Sequence, residues 1–339
     1  MPLDEALIES IDDRTARLMA ASDHAPLLYH MMKYHLGWLD EQLRPAHFHP
    51  GKRIRPRLCF LTCGATGAPP ERAAAPATAV ELVHNFSLVH DDIQDRSHTR
   101  RHRRTVWDIW GEAQAINAGD GLLVLAQLAL TEDAATDPAR KLRALQMINN
   151  ACLLLCEGQC LDLDFERRPS VTRDEYYAMI ERKTGALLET CCSLGALYGE
   201  ADEPTVAAYA RFGKYLGLAF QAQDDYLGIW GDPKETGKPA ADDVVSKKKA
   251  LPLVRLLEVA EGRDRERLGD IVARPGPASN EETAEILGIM DRYQTVEFIA
   301  SEVERNTRIA LEALDSAHPA PEWHEELASL CRRLTIRRS

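Results

Sequence analysis

The sequence has no uninterrupted apolar run long enough to cross a bilayer. Its most apolar stretch, GLLVLAQLAL at 121–130, falls well short of the roughly twenty residues a spanning helix needs. The amino terminus, MPLDEALIESIDDRTARL, is acidic and amphipathic and lacks the basic-then-apolar order of a signal or transit peptide. No transmembrane segment is therefore expected, and the cytoplasm is the expected compartment. An excess of positive charge is also missing. The formal net charge is −12, which argues against a general nucleic-acid-binding face, so any anionic ligand has to be met by local basic clusters. None of the eight cysteines stands in the paired spacing of a zinc site, and nothing demands disulfides. Cys152, Cys156 and Cys160 recur every fourth residue, as small apolar side chains stacked along one helix face would. Fixed-period repeats and long linkers are absent. The only Asp-Gly dipeptide, Asp120-Gly121, lies among helix formers rather than between alternating strands.

What remains is helical periodicity over 339 residues that are 45% apolar and 28% charged, enough for a substantial core. Breakers fall at GATGAPPE (64–71), ERRPSVT (166–172), GDPKETGKP (231–239) and ARPGPASN (273–280). Thr172-Arg173-Asp174-Glu175 predicts a capping box opening one helix through YYAMIERKTGALLETCCSLGALYG, and Ser279 or Asn280 predicts the cap of another. The expectation is an all-α fold, a single large helical domain over 1–339.

Chemistry concentrates in HDDIQDRSHTRRHRRT at 90–105. Asp91, Asp92 and Asp95 follow the apolar helix AVELVHNFSLV, and positions i and i+4 share a face with i+1 beside them. Carboxylates this close repel unless a cation sits among them, and oxygen-only ligands suit Mg²⁺ bridging to phosphate. A second set ends another apolar helix in GLAFQAQDDYLGIWGDP: Asp224 and Asp225, with Asp232 just beyond. Two such clusters could hold several Mg²⁺ around one diphosphate and assist its departure. Basic residues are grouped too: Lys52, Arg53, Arg55 and Arg57 in PGKRIRPR, Arg100 and Arg101 after the first motif, and Lys247, Lys248 and Lys249 after the second. Arginine forks and mobile lysines suit two polyanions, one bound through metal and one bound directly. On this reading the acids and bases of 90–105 serve ligands rather than each other.

In order along the chain, GKRIRP (51–56), ELVHNFSLVHDDIQD (81–95), RR (100–101), NAGD (117–120), KTG (183–185), GLAFQAQDD (217–225), GDPKETGKP (231–239) and KKKALP (247–252) resemble the trans-isoprenyl diphosphate synthases, or polyprenyl synthetases, and most of all their short-chain geranylgeranyl and farnesyl members. The resemblance implies the isoprenoid synthase type I fold around a central active-site cavity, a homodimer, and a Mg²⁺-dependent prenyltransferase. Such an enzyme condenses isopentenyl diphosphate head-to-tail with an allylic diphosphate, using three ions per site once substrate is bound. Carried over by position, Asp91, Asp92, Asp95, Asp224, Asp225 and Asp232 would bind metal. Arg100, Lys183, Lys238 and Lys248 would hold the allylic diphosphate, and Lys52, Arg55, His84 and Arg101 isopentenyl diphosphate. Thr184, Gln221 and Phe220 would line the reacting carbons, where a dipole or aromatic face helps a cation without capturing it.

Two departures stand out. Gly228 replaces the third aspartate of many second motifs, with Asp232 as its substitute. RRHRRT replaces the common RRGxPT, putting His102 and Arg104 where glycine and proline stand. Phe86 and Ser87, five and four residues before Asp91, lie about one turn further into the cavity, a pattern like that of members making a C20 product. Farnesyl or longer polyprenyl diphosphates are the alternative products. A class I terpene cyclase and a catalytically weakened regulatory subunit are the alternative functions; the isopentenyl set argues against the cyclase.

Overall fold

The computed structural model describes residues 5–19, 24–49, 51–232 and 241–335. Helices dominate, as the sequence periodicity predicts, and the described strands are a single two-stranded hairpin. The chain divides into two compact units: residues 1–150 with 191–206 and 319–323, and residues 151–190 with 207–318 and 324–339.

In the first unit the helix Ala74–Gln94 packs along the helix Glu112–Thr131. Small residues permit this closeness. Ala115, Ala118, Gly119, Ala126 and Ala129 are buried, and a Cβ at Gly119 would lie 2.3 Å from His90 Nε2. The run 121–130 proves to be part of a twenty-residue helix that by length and composition is apolar enough to cross a membrane, although much of it is buried in this unit. The ten-residue count in the sequence understated the element, because flanking Ala, Ile and Gly extend the helix beyond the obvious leucines.

The hairpin Thr99–Arg100/Arg103–Arg104 follows the first acidic motif, with Thr99 opposite Arg104 and Arg100 opposite Arg103. Its two-residue turn, Arg101-His102, has φ of +51° and +61°. Two positive φ values make the turn twist with the strands, which favours glycine. That is the physical reason for glycine in the family's RRGxPT and for the cost of His102 here.

In the second unit the capping box predicted at Thr172 is present: Thr172 Oγ1 accepts from Glu175 N–H at 3.2 Å, and Thr172 N–H donates to Glu175 Oε2 at 2.8 Å. Ser279 caps Asn280–Arg292 in the same way with Glu282. The helix expected to run unbroken through residues 176–199 does not. Arg173–Ile180 gives way to a π-helical turn over Glu181–Gly185 before Ala186–Tyr198 resumes. Extra residues of this kind re-aim side chains and recur at functional sites. Here they fall on KTG.

Candidate active site

Each unit carries one cluster of the predicted residues. In the first, Asp91 and Asp92 close the helix Ala74–Gln94, and Asp95 follows as its C-cap, donating its N–H to the Asp91 carbonyl at 2.8 Å. Carboxylates at a helix C-terminus face the negative end of its dipole, which adds to their demand for a cation. Asp92 is buried and accepts from Arg100 Nε at 2.7 Å. Burial pushes its carboxyl up to about 6; the Arg100 guanidinium opposes that rise, while Asp91 and Asp95 add to it. The expectation that the acids and bases of 90–105 serve ligands rather than each other is thus corrected at Arg100–Asp92. Arg96 pairs instead with Glu112 and Arg104 with Asp108, acids beyond the segment.

Arg101 lies over Gly51, where a Cβ would come within 3.0 Å of its Nη2, and Gly51 has φ +94°. The φ is what calls for the glycine of GKR, and the Arg101 guanidinium closes over it. A cavity of about 360 Å³ opens here, lined among others by His35, His49, Gly51, Asp92, Arg100 and Arg101. Of the predicted isopentenyl set, Arg55, His84 and Arg101 share one electrostatic neighbourhood. Lys52, beside Gly51, is exposed. Burial lowers the His84 imidazole well below its ordinary value, with Arg55, Arg101 and Arg100 pushing the same way. Arg55 Nε is enclosed with no hydrogen-bond partner. Arg53, in the same cluster, instead pairs with Asp12 at 2.6 Å and reaches Glu81 at 3.8 Å.

His35 was missed by sequence reasoning. It ends the helix Pro26–His35, its Nε2 is enclosed without a partner, and burial with Arg101, Arg100 and Arg103 pushes it down to about 3. No motif marks it, because its charged neighbours come from remote segments. Phe86 and Ser87 are buried, Phe86 edge-on to His90 at 5.0 Å between centroids and Ser87 donating its hydroxyl to the His84 carbonyl.

The second unit holds a connected polar chain. Thr184 Oγ1 donates to Gln221 Oε1 at 2.8 Å, and Gln221 Nε2 donates to Asp225 Oδ1 at 2.8 Å. Asp225 Oδ2 accepts from Tyr176 OH at 2.6 Å and from Leu251 N–H at 2.8 Å. Asp225 is buried with both oxygens engaged. The structure therefore gives it the surroundings of an anchor, unlike those of Asp224, which is exposed at the next position. Phe220 is half-buried on the same helix, Glu203–Trp230, and Asp232 is exposed beyond its end.

Lys183 Nζ reaches Asp162 Oδ2 at 2.5 Å. Asp162, on the helix Pro138–Arg167, also escaped the sequence reading, since nothing local sets it apart from its acidic neighbours. Among the three adjacent lysines, tertiary structure decides. Lys247 donates to the carbonyls of Ile271 and Arg274, and Lys249 is buried. Burial alone would lower the Lys248 ammonium, but Asp162, Asp243, Asp225 and Asp224 outweigh it and hold the ammonium above the ordinary lysine value. Lys238 lies outside the described residues.

Two acidic helix ends thus stand beside arginine or lysine, and the π turn carries Lys183 and Thr184. The polyprenyl synthetase family model matches residues 37–290. The chain belongs to the polyprenyl synthetase family. It is 42% identical over 268 residues to a (2E,6E)-farnesyl diphosphate synthase of Mycobacterium tuberculosis, covering 78% of this chain and 74% of that one. It is 41% identical over 271 residues to a geranylgeranyl diphosphate synthase of the same organism, covering 76% and 77%. The crystal structure of a polyprenyl synthetase from Streptomyces coelicolor A3(2) superposes with a TM-score of 0.88 at 41% identity, covering 98% of this chain and 99% of that one. The enzyme class is short-chain trans-prenyl diphosphate synthase, a prenyltransferase of isoprenoid biosynthesis. Members of this polyprenyl synthetase family generally use Mg²⁺, and their substrates are isopentenyl and allylic diphosphates.

Proposed function

We propose that this polyprenyl synthetase condenses isopentenyl diphosphate with an allylic diphosphate to give geranylgeranyl diphosphate. The observation that carries the product length is Phe86. It is buried on the helix Ala74–Gln94, five residues before Asp91, where a growing tail would meet its ring. The near-equal identities to a farnesyl and a geranylgeranyl synthase favour neither, so farnesyl diphosphate is the second reading.

The donor set fits Mg²⁺. Asp91, Asp92, Asp95, Asp224 and Asp232 offer only oxygens, and no described group of three His, Cys, Asp or Glu could hold a metal by itself. That suits an ion completed by water and substrate phosphate, used three at a time. When bound, Mg²⁺ neutralises the diphosphate as it leaves. The protein's own part is positional. Arg100, Lys183 and Lys248 supply fixed positive charge to the allylic diphosphate, with Lys238 assigned by position. Lys52, Arg55, His84 and Arg101 grip isopentenyl diphosphate, placing its alkene for attack. Thr184 donates its hydroxyl hydrogen bond to Gln221, which is itself oriented by Asp225, and so keeps its oxygen lone pairs for the allylic cation. Phe220 adds an aromatic face.

We treat residues 1–339 as one functional domain. A homodimer is the proposed assembly. Ile116, Val124 and Leu128 on Glu112–Thr131, and Leu142 and Leu153 on Pro138–Arg167, are large apolar residues left exposed for a second copy to cover. Eight free thiols, including exposed Cys156 and Cys160, suit the reducing cytoplasm.

The test is incubation with Mg²⁺, isopentenyl diphosphate and primers of increasing length, read by product mass. A C20 product is expected, lengthened in Phe86→Ala. Diphosphate release from a prenyl diphosphate alone would instead indicate a cyclase.

A further inference from the structure

Glycine inside a helix needs a reason, since it costs about 1 kcal/mol against alanine. Gly228 lies inside Glu203–Trp230, and its φ is not positive. Its reason is space. A Cβ there would lie 2.2 Å from Asp243 Oδ2 and 2.8 Å from its Cγ. The carboxylate of Asp243 thus occupies the volume into which a side chain at 228 would grow. It is delivered by the short helical turn Asp242–Val245. Backbone bonds tie that turn down on both sides: Ala241 N–H donates to the Ile229 carbonyl at 3.2 Å, and Ala278 N–H to the Val245 carbonyl at 2.8 Å. Asp243 is buried. Its own carbonyl accepts the N–H of Lys248 at 2.9 Å, so the lysine starts from the turn that carries Asp243. The Lys248 side chain is then surrounded by the charges of Asp162, Asp224, Asp225 and Asp243.

We propose that Asp243 is the third carboxylate of the second acidic motif, filling from a separate segment the space that Gly228 leaves, and that from there it positions Lys248 for the diphosphate. The pattern Asp-Asp-x-x-Asp is broken in sequence and completed in space. Exposed Asp232 contributes none of the atoms nearest a side chain at 228. Asp243 is a positioning residue: it acts through Lys248 rather than on the reacting atoms. This inference rests on the prenyl-transfer reading above.

The test is a reciprocal exchange, using the full chain with Mg²⁺, isopentenyl diphosphate and farnesyl diphosphate. A carboxyl grown from residue 228 ends only about two bonds of 1.5 Å from its Cβ, close to where the Asp243 carboxylate now sits. Gly228→Asp alone therefore collides with Asp243 and places like charges together. Asp243→Ala alone removes one of the four carboxylates around Lys248 and empties the space beside Gly228. Each single variant is expected to lose at least tenfold in kcat, with KM for isopentenyl diphosphate within about threefold, because that substrate's residues are untouched. The double variant Gly228→Asp/Asp243→Ala is expected to recover at least tenfold over Gly228→Asp in kcat. It should also recover the rise in thermal midpoint that inorganic pyrophosphate with Mg²⁺ gives the unaltered protein. A double variant no better than the singles in either readout overturns the proposal, as does an Asp243→Ala enzyme within twofold of normal. If the unaltered protein makes no prenyl diphosphate, the functional reading fails instead, and the pyrophosphate midpoint still decides the role of Asp243. Should Gly228→Asp not fold, the comparison of Asp243→Asn with the double variant serves the same purpose.

Discussion

Gly158→Ala separates folding from function in a way few substitutions do. Gly158 lies in the helix Pro138–Arg167, and a Cβ there would stand 2.4 Å from the Lys183 backbone nitrogen and 2.8 Å from its Cα and Cβ. Ordinary contact begins near 3.4 Å, so the π turn Glu181–Gly185 has to retreat by the difference, about 1 Å. The obstacle is backbone, which cannot rotate aside as a side chain would. Overpacking of this size costs about 1–3 kcal/mol, and replacing an interior helix glycine by alanine returns about 1 kcal/mol, so the net loss of stability is about 0–2 kcal/mol. The consequence for the site is larger. The retreat carries away the Lys183–Asp162 pair at 2.5 Å and the Thr184–Gln221 bond at 2.8 Å. A 1 Å misplacement of such groups costs on the order of a hundredfold in rate. The expected outcome is a folded protein whose kcat for condensation falls about a hundredfold. Urea unfolding and a steady-state assay on the same preparation measure both. A variant with kcat within threefold of the unaltered enzyme would refute the claim that the π turn needs this close approach.

Further predictions concern the hairpin and two of the buried aspartates. His102→Gly removes a left-handed strain of about 1–2 kcal/mol at φ +61° and costs about 0.5–1 kcal/mol in chain entropy, so a net gain of about 0–1.5 kcal/mol is expected in urea unfolding; a loss would contradict the turn geometry. Asp92 holds its proton up to about pH 6 in the folded state but only to about 3.8 when unfolded. The folded protein therefore binds more protons in that window, and its stability declines as pH rises through it. Without Mg²⁺, Asp92→Asn should be more stable than the unaltered protein at pH 7 by up to about 3 kcal/mol, the advantage vanishing below pH 4 while turnover is abolished. Equal stability of the two at pH 7 would argue against the buried ionised carboxylate. Asp225→Ala strands the Tyr176 hydroxyl, the Leu251 N–H and the Gln221 amide, and should lower stability by about 3 kcal/mol or more, far beyond what loss of a solvated metal ligand would do.

The helical class, the caps at Thr172 and Ser279 and both acidic motifs were legible in the sequence. Each depends on residues within a few positions of one another. Periodicity, capping hydrogen bonds and the i, i+4 face are local rules, and a chain of 339 residues can state them without folding. The same locality explains the charge pattern of 90–105, although not its pairing. Arg100 meets Asp92 because the chain reverses just past the helix at Arg96, φ +53°, where Ser97 N–H donates to the Asp92 carbonyl, and φ values of that sign in non-glycine residues carry no sequence signal.

Tertiary structure alone decided the rest. Three consecutive lysines are equivalent as text, and only the carbonyls of Ile271 and Arg274 on one side and the carboxylates around Lys248 on the other tell them apart. Asp162, His35 and Asp243 have no motif, since what makes each of them important arrives from more than ten residues away. The two adjacent aspartates of the second motif look alike in sequence, but burial separates them into an exposed Asp224 and an anchored Asp225. By itself, then, the sequence determined which kinds of groups this synthase carries and on which helices, because those are properties of neighbours along the chain. Which of those groups faces a ligand, and which is consumed in holding another in place, depends on partners that only folding brings within hydrogen-bond reach.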